Sequence, residues 1–286
     1  MTKILPATHM NSWYPSGKKL DDMLMAAYQK VPVNTDGGHV RAIIVPHAGY
    51  QYCVETSMHA FAQINPNEYD RVIVMGPSHR MAIPCCTIAD ADFAESPYGN
   101  IPFDTNAIRG LLTNYPNLFS LLPPDTAAIE HSMEMEFPLL KFIFKSHPFK
   151  IIPIMIGSVS AATCAEIAEA LAPLLDDRTL FVVSSDFCHW GSRFSYTKLP
   201  AVDGEIWQKI EALDRMATEQ IATNNPNNFA SYLKETKNTI CGRNAILVMM
   251  NAIKGYHAEF PAYSQSSHCQ NMYDSSVSYM AGVFRK

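Results

Sequence analysis

Three apolar, β-branched runs in this chain each end in a turn that carries a histidine: RAIIVPHAGY at 41–50, RVIVMGPSHR at 71–80 and LFVVSSDFCHW at 180–190. Strands that read as near-continuous hydrophobic runs belong to a parallel sheet covered on both faces. In such sheets ligands bind outside the carboxyl ends of the strands. The three turns therefore put His47, His79 and His189 at one edge, where residues far apart in sequence can share a site.

The rest of the chain supplies the covering layers. Strand-like runs at 40–45, 71–75, 85–90, 150–157, 181–186 and 275–284 alternate with helical patterns at 18–30, 53–63, 104–114, 163–175, 203–222, 226–235 and 240–256. Segment 130–146 has helical periodicity that Pro138 either interrupts or starts, and VNTDGGH (33–39) reads as a loop. Alternation of this kind argues an α/β fold with a mixed, mostly parallel central sheet flanked by helices. The serine- and tyrosine-rich end adds antiparallel strands. With no internal repeat and no convincing linker, the expectation is one domain over 1–286.

Composition excludes several classes. A formal charge of −5 leaves no basic footprint for nucleic acid. No run of about 18 apolar residues is present, so no membrane span is expected. MTKILPATHMNSWYP lacks the apolar core of a signal peptide, which points to a soluble, cytoplasmic chain, with the nucleus as a second compartment. The seven cysteines are odd in number and include no C-x-x-C pair. That argues against a disulfide framework, a zinc ribbon or a thioredoxin-type motif.

Several residues are equipped for chemistry. Pro46 and Gly49 around His47 fix a tight turn that holds the imidazole, and Gly76-Pro77-Ser78-His79 repeats the device. Asp186 lies three residues before His189, where a carboxylate could set an imidazole's tautomer. Cys241 reads as opening a helix, a position that lowers a thiol's pKa and favours thiolate. EHSMEME (130–136) reads mainly as a solvated helix start, with His131 able to reach the pocket. Arg80, Arg193 and Arg243 each follow a site segment and would ring its mouth, ready to recognise carboxylate or phosphate.

Taken together, PHAGY, GPSH, EHSMEMEFP, FVVSSDFCHWG, NTICGR and DSSVSYMAG resemble the Memo family (mediator of ErbB-driven cell motility), from Asn11 to Gly282. The resemblance implies a fold similar to the class III extradiol dioxygenases, which use non-haem iron. It implies His47 and His79 as imidazole metal ligands, Cys241 in place of a glutamate ligand, and His189 as acid/base with Asp186 beside it. It implies that Trp13 joins His47, His79 and Cys241 in a pocket for phosphotyrosine peptides. It also implies copper or iron, reactive oxygen species, and cell motility or invasive growth. Asn11 stands where the family usually has glycine, and Asn244-Ala245 where it has His-Pro.

Two imidazoles and a thiolate make a softer site than two imidazoles and a carboxylate. They suit copper, above all Cu(I), and could also hold iron or zinc. Ring-cleaving dioxygenase chemistry is therefore disfavoured, and metal-dependent electron transfer to oxygen is favoured. Two alternatives use the same residues. One is a non-catalytic module that binds a phosphotyrosine or other anionic peptide. The other is a Cys–His hydrolase with Cys241 as nucleophile, His189 as base and Asp186 as orienter.

Overall fold

The chain's fold is given by a computed structural model that describes residues 2–32 and 37–286. Most of the 33–39 loop, residues 33–36, lies outside the described residues. The first half contains β1 (Ile4–Leu5), α1 (Gly17–Gln29), β2 (Val40–Val45), α2 (Tyr50–Phe61), β3 (Arg71–Pro77), β4 (Cys86–Ala89), β5 (Phe93–Ala94), β6 (Ile101–Pro102), α3 (Thr105–Asn114), β7 (Phe119–Leu122), α4 (Pro124–Ala127) and α5 (Phe137–Phe144). The second contains β8 (Lys150–Ile156), α6 (Ala161–Leu171), β9 (Thr179–Ser184), β10 (His189–Trp190), α7 (Ile206–Ala222), α8 (Pro226–Thr236), α9 (Arg243–Ala252), β11 (His257–Gln265) and β12 (Ser276–Arg285).

The large sheet has the order β10-β12-β2-β9-β3-β8-β4-β7, with β11 added against β12. Its centre, β2-β9-β3-β8, is parallel. The final strand runs antiparallel to β2, as the alternating tail predicts. The expected mixed sheet flanked by helices is what forms, but it is less parallel than expected: β4-β7 is parallel like the centre, whereas β4 runs antiparallel to β8, and β12 antiparallel to β2, β10 and β11. β2 and β9 are buried at every position, because helices cover them. α9 packs across β3 and β9 with α6 against it, and α2 packs across β2 and β12 with α1 and α5 against it. No helix among the described residues is long and apolar enough to cross a membrane.

Register sets the height of the site. Val45 pairs with Ser184 and Met75 with Val183, so β2, β9 and β3 end almost level. His47 and Asp186 each lie two residues beyond the Val45–Ser184 pair and so emerge side by side.

The structure corrects several boundaries. The 240–256 helix is shorter at both ends: α9 starts at Arg243, its N-cap is Gly242, and Ile253 follows its last turn. Cys241 therefore sits in the turn before the helix. Pro138 starts a helix rather than interrupting one, because proline at N1 or N2 removes only an unbonded N–H. β11 escapes the sequence reading because Pro261 breaks its pattern, and the ladder to β12 shifts register between Glu259 and Ala262.

Candidate metal centre

His47 is 1% exposed and held from three directions. Its backbone N–H donates to Asp186 Oδ1 at 2.9 Å, its Nδ1 lies 2.8 Å from Ser184 Oγ, and its Nε2 lies 3.1 Å from Cys241 Sγ. His79 is anchored by a carboxylate missed by sequence reasoning. Glu130 accepts the His79 backbone N–H and lies 2.9 Å from His79 Nδ1. Glu130 also accepts the backbone N–H of Ser132.

His131 completes a cluster of imidazoles. It stacks on His79 with ring centroids 4.8 Å apart and meets His47 edge-on at 5.3 Å. Ring nitrogens of His47, His79 and His131 all lie within 4.8 Å of one another. Trp13 packs on the far side of His131 at 4.3 Å. His131 Nδ1 lies 3.2 Å from Glu130 Oε1 but out of line, and it has no hydrogen-bond partner.

Segment 130–136 is thus not the solvated helix start its charges imply. Glu130, Glu134 and Glu136 are all buried. Glu134 accepts the His9 backbone N–H at 2.9 Å and the Tyr14 hydroxyl at 2.7 Å, and lies 2.7 Å from His9 Nδ1. That ties the turn bearing Trp13 to the cluster. Within this turn Asn11 has φ of 64°, the left-handed region that glycine and asparagine enter most readily.

Cys241 is held by its turn. Gly242 comes so close to the end of β9 that an added Cβ would lie 2.4 Å from Ser185 Cβ. The Asp186 backbone N–H donates to Cys241 Sγ at 3.2 Å. Burial and the neighbouring Asp186 carboxylate push the Cys241 thiol above its ordinary value, opposite to the lowering expected of a helix start. The residue keeps a partly accessible face, but its sulfur is packed within the protein.

Asp186 and His189 do not form the expected pair. Asp186 Oδ2 sits 4.0 Å from His47 Nε2, while His189 Nδ1 lies 3.0 Å from the Phe187 carbonyl. A carbonyl can only accept, so His189 carries its proton on Nδ1 and offers Nε2 as a base. Cys241 is likewise bonded around His47 rather than His189, so the hydrolase triad is not assembled.

Burial governs the electrostatics. It pushes His47 well below its ordinary value, helped by His131, His79 and His189, and takes His131 down to about 4. Burial lowers His189 too. It raises Asp186 to about 7, against the N–H groups of His47 and Ala48. Glu130 would also be raised by burial, but bonds from His79 and Ser132 bring it to about 2.

An open cleft of about 550 Å³ gives access to this centre. Trp13, His47, His79, His131, Asp186, His189, Arg80 and Arg193 all line it. Arg243 does not reach its mouth. With Cys241 and Asn244 it borders a separate pocket of about 90 Å³, and its guanidinium donates to the Ile240 carbonyl.

These donors fit a cation. Tetrahedral ligand nitrogens stand roughly 3.4 Å apart, and a nitrogen and a sulfur about 3.6 Å. The imidazole nitrogens need to close by up to about 1.4 Å, and Cys241 Sγ already lies within about half an ångström of ligand spacing from His47 Nε2. Among the described residues the three imidazoles of His47, His79 and His131 could together hold a metal ion; Cys241 is not part of that cluster and approaches only His47.

Comparison with known proteins adds relatives. The family described as "Memo-like protein" matches residues 6–283. The chain is 38% identical to Protein MEMO1 of Homo sapiens over 288 aligned positions, covering 97% of this chain and 96% of that one. It is 37% identical to Protein MEMO1 of Danio rerio over the same shares of both chains. It is 35% identical to the Protein memo-1 homolog of Caenorhabditis elegans, covering 97% of this chain and 81% of that one. An uncharacterized protein of Escherichia coli K12 has a similar fold, with a TM-score of 0.53 at 12% identity, covering 84% of this chain and 99% of that one.

Proposed function

This chain belongs to the Memo family, and from that premise we propose that it is a redox-metal protein with copper or iron at His47, His79 and Cys241. The observation that carries the reading is the cluster of imidazole nitrogens within 4.8 Å, with Cys241 Sγ 3.1 Å from one of them. Bound copper or iron would supply one-electron chemistry with oxygen. The chain's own residues would do the rest. Glu130 and Ser184 hold the Nδ1 sides of His79 and His47, which leaves each Nε2 for the ion. His189 Nε2 would accept a proton in the cleft, and Asp186, poised near neutral pH, would hold or release one beside His47. His131 and Trp13 wall the cleft, with His131 close enough to serve as a further donor. In the cell this chemistry would act in the cytoplasm or nucleus, in motility or invasive-growth signalling, as the family resemblance implies.

The test is elemental analysis of protein purified without chelators, followed by oxygen-consumption measurements on copper- and iron-loaded samples. Loss of both metal and oxygen consumption in Cys241→Ser and His47→Ala supports the reading. Full metal content in both variants refutes it.

A second reading rests on Arg80 and Arg193, two guanidiniums lining the cleft that leads to the imidazoles. They would capture a phosphotyrosine or other anionic peptide. Retained phosphopeptide binding in protein with metal stoichiometry near zero would favour this reading over the first.

A further inference from the structure

Ser184 Oγ is a junction of three contacts. It lies 2.6 Å from the Ser132 carbonyl oxygen, 2.8 Å from Glu136 Oε1 and 2.8 Å from His47 Nδ1. All four residues are buried. A hydroxyl has one hydrogen to give and two lone pairs to receive with. The Ser132 carbonyl has no hydrogen, so the shortest contact must use the one on Ser184. The other two contacts must then be supplied from the far side, by a hydrogen on His47 Nδ1 and a hydrogen on Glu136 Oε1.

We infer that Glu136 is a neutral carboxylic acid that donates to Ser184 and thereby holds His47 in its Nδ1–H form, which makes Glu136 a positioning residue for the imidazole facing Cys241. Two further observations agree. Glu136 Oε2 is buried without a partner, which a neutral acid's carbonyl oxygen tolerates far better than a carboxylate oxygen does. Among the described residues no N–H group or cation bonds to Glu136. The titratable groups felt around it are Tyr50, Cys53 and Asp186, none of them cationic. Burial accordingly pushes its carboxyl well above the ordinary range. The competing arrangement splits the Ser184 hydrogen between Ser132 and an ionised Glu136. It leaves a buried charge served by half a hydrogen bond, which burial strongly disfavours.

The consequence is a fixed direction for His47. With Nδ1 carrying the proton, the Nε2 lone pair is turned on the space beside Cys241 Sγ before any ion arrives. The effect on cation affinity rests on the metal reading above, whereas the protonation state does not.

Infrared spectroscopy of the metal-free full chain at pH 8.5 separates the two. Asp186 and Asp214 are ionised there, since burial raises them only to about 7 and about 6. The expected result is a protonated-carboxyl stretching band that shifts in D2O and is lost in Glu136→Gln. Nitrogen-15 shifts of metal-free wild type should show a protonated His47 Nδ1. In anaerobic Fe2+ titrations Glu136→Gln, whose amide still donates to Ser184, should bind within about threefold of wild type. Glu136→Leu should bind about tenfold or more weakly. A wild-type spectrum without the band overturns the inference even if neither variant folds. Equal Fe2+ affinity of the two variants also overturns it. Fe2+ failing to bind wild type, with the band present, overturns only the metal reading.

Discussion

The backbone N–H of His47 donates to the side chain of Asp186 across 139 residues of sequence, at 2.9 Å. The bond exists because β2 and β9 are parallel neighbours in a register that ends them level. It fixes the PHAG turn from below while Ser184 and Cys241 hold the ring from either side. Removing the Asp186 carboxylate would leave the buried N–H of His47 and the half-buried N–H of Ala48 without that acceptor. Asp186→Ala should therefore lose about 2–4 kcal/mol of stability in urea unfolding, and Asp186→Asn, which keeps an acceptor, should lose less.

The third donor can be told apart by its softness. With Cys241 as ligand, Cys241→Ser should lower Cu(I) affinity by more than tenfold and Zn2+ affinity by less. His131→Ala should change both weakly. Competition titrations against chelators of known strength check this, and the opposite ranking would make His131 the third ligand.

Glu130→Gln should weaken cation binding about 10- to 100-fold, since the carboxylate orients His79 through both its ring and its backbone. Isothermal calorimetry reads the change. Its size should exceed that of Arg243→Ala, whose side chain lies outside the cleft.

Gly242→Ala should cost about 2–4 kcal/mol, because the new methyl group meets the Ser185 side chain and the Ser184 carbonyl at the end of β9. The backbone there has φ of −85°, so the cost is steric rather than conformational. Denaturation midpoints measure it, and a neutral substitution would mean the Cys241 turn can shift.

Asp214 gives the pH dependence a definite sign. Burial raises its carboxyl from 3.8 to about 6, against hydrogen bonds from Ser278, Asn238, Tyr263 and the Cys188 backbone. The folded state therefore holds this proton more tightly than the unfolded chain does. Its stabilising contribution is complete below pH 3.8 and is lost as pH rises to about 6. The stability of wild type relative to Asp214→Asn should fall by about 3 kcal/mol across that interval. A flat difference between the two urea-unfolding series would contradict it.

The chain's own pattern determined the parallel strands, their order of punctuation, and the placing of His47 and His79 just past strand ends. These features are legible because burial on both faces leaves an unbroken apolar run, and because proline and glycine mark turns by local sterics. The left-handed backbone of Asn11 was not among them and is known from the structure. Tertiary structure alone decided that Glu130 and Glu136 are interior partners rather than solvated charges, that Asp186 serves His47 and not His189, and that Arg243 faces a different pocket. Charge in a sequence signals solvent by default. Only the register of distant strands, and the approach of the 130–136 segment to β3 and β9, brings the partners that make those carboxyl groups stable inside.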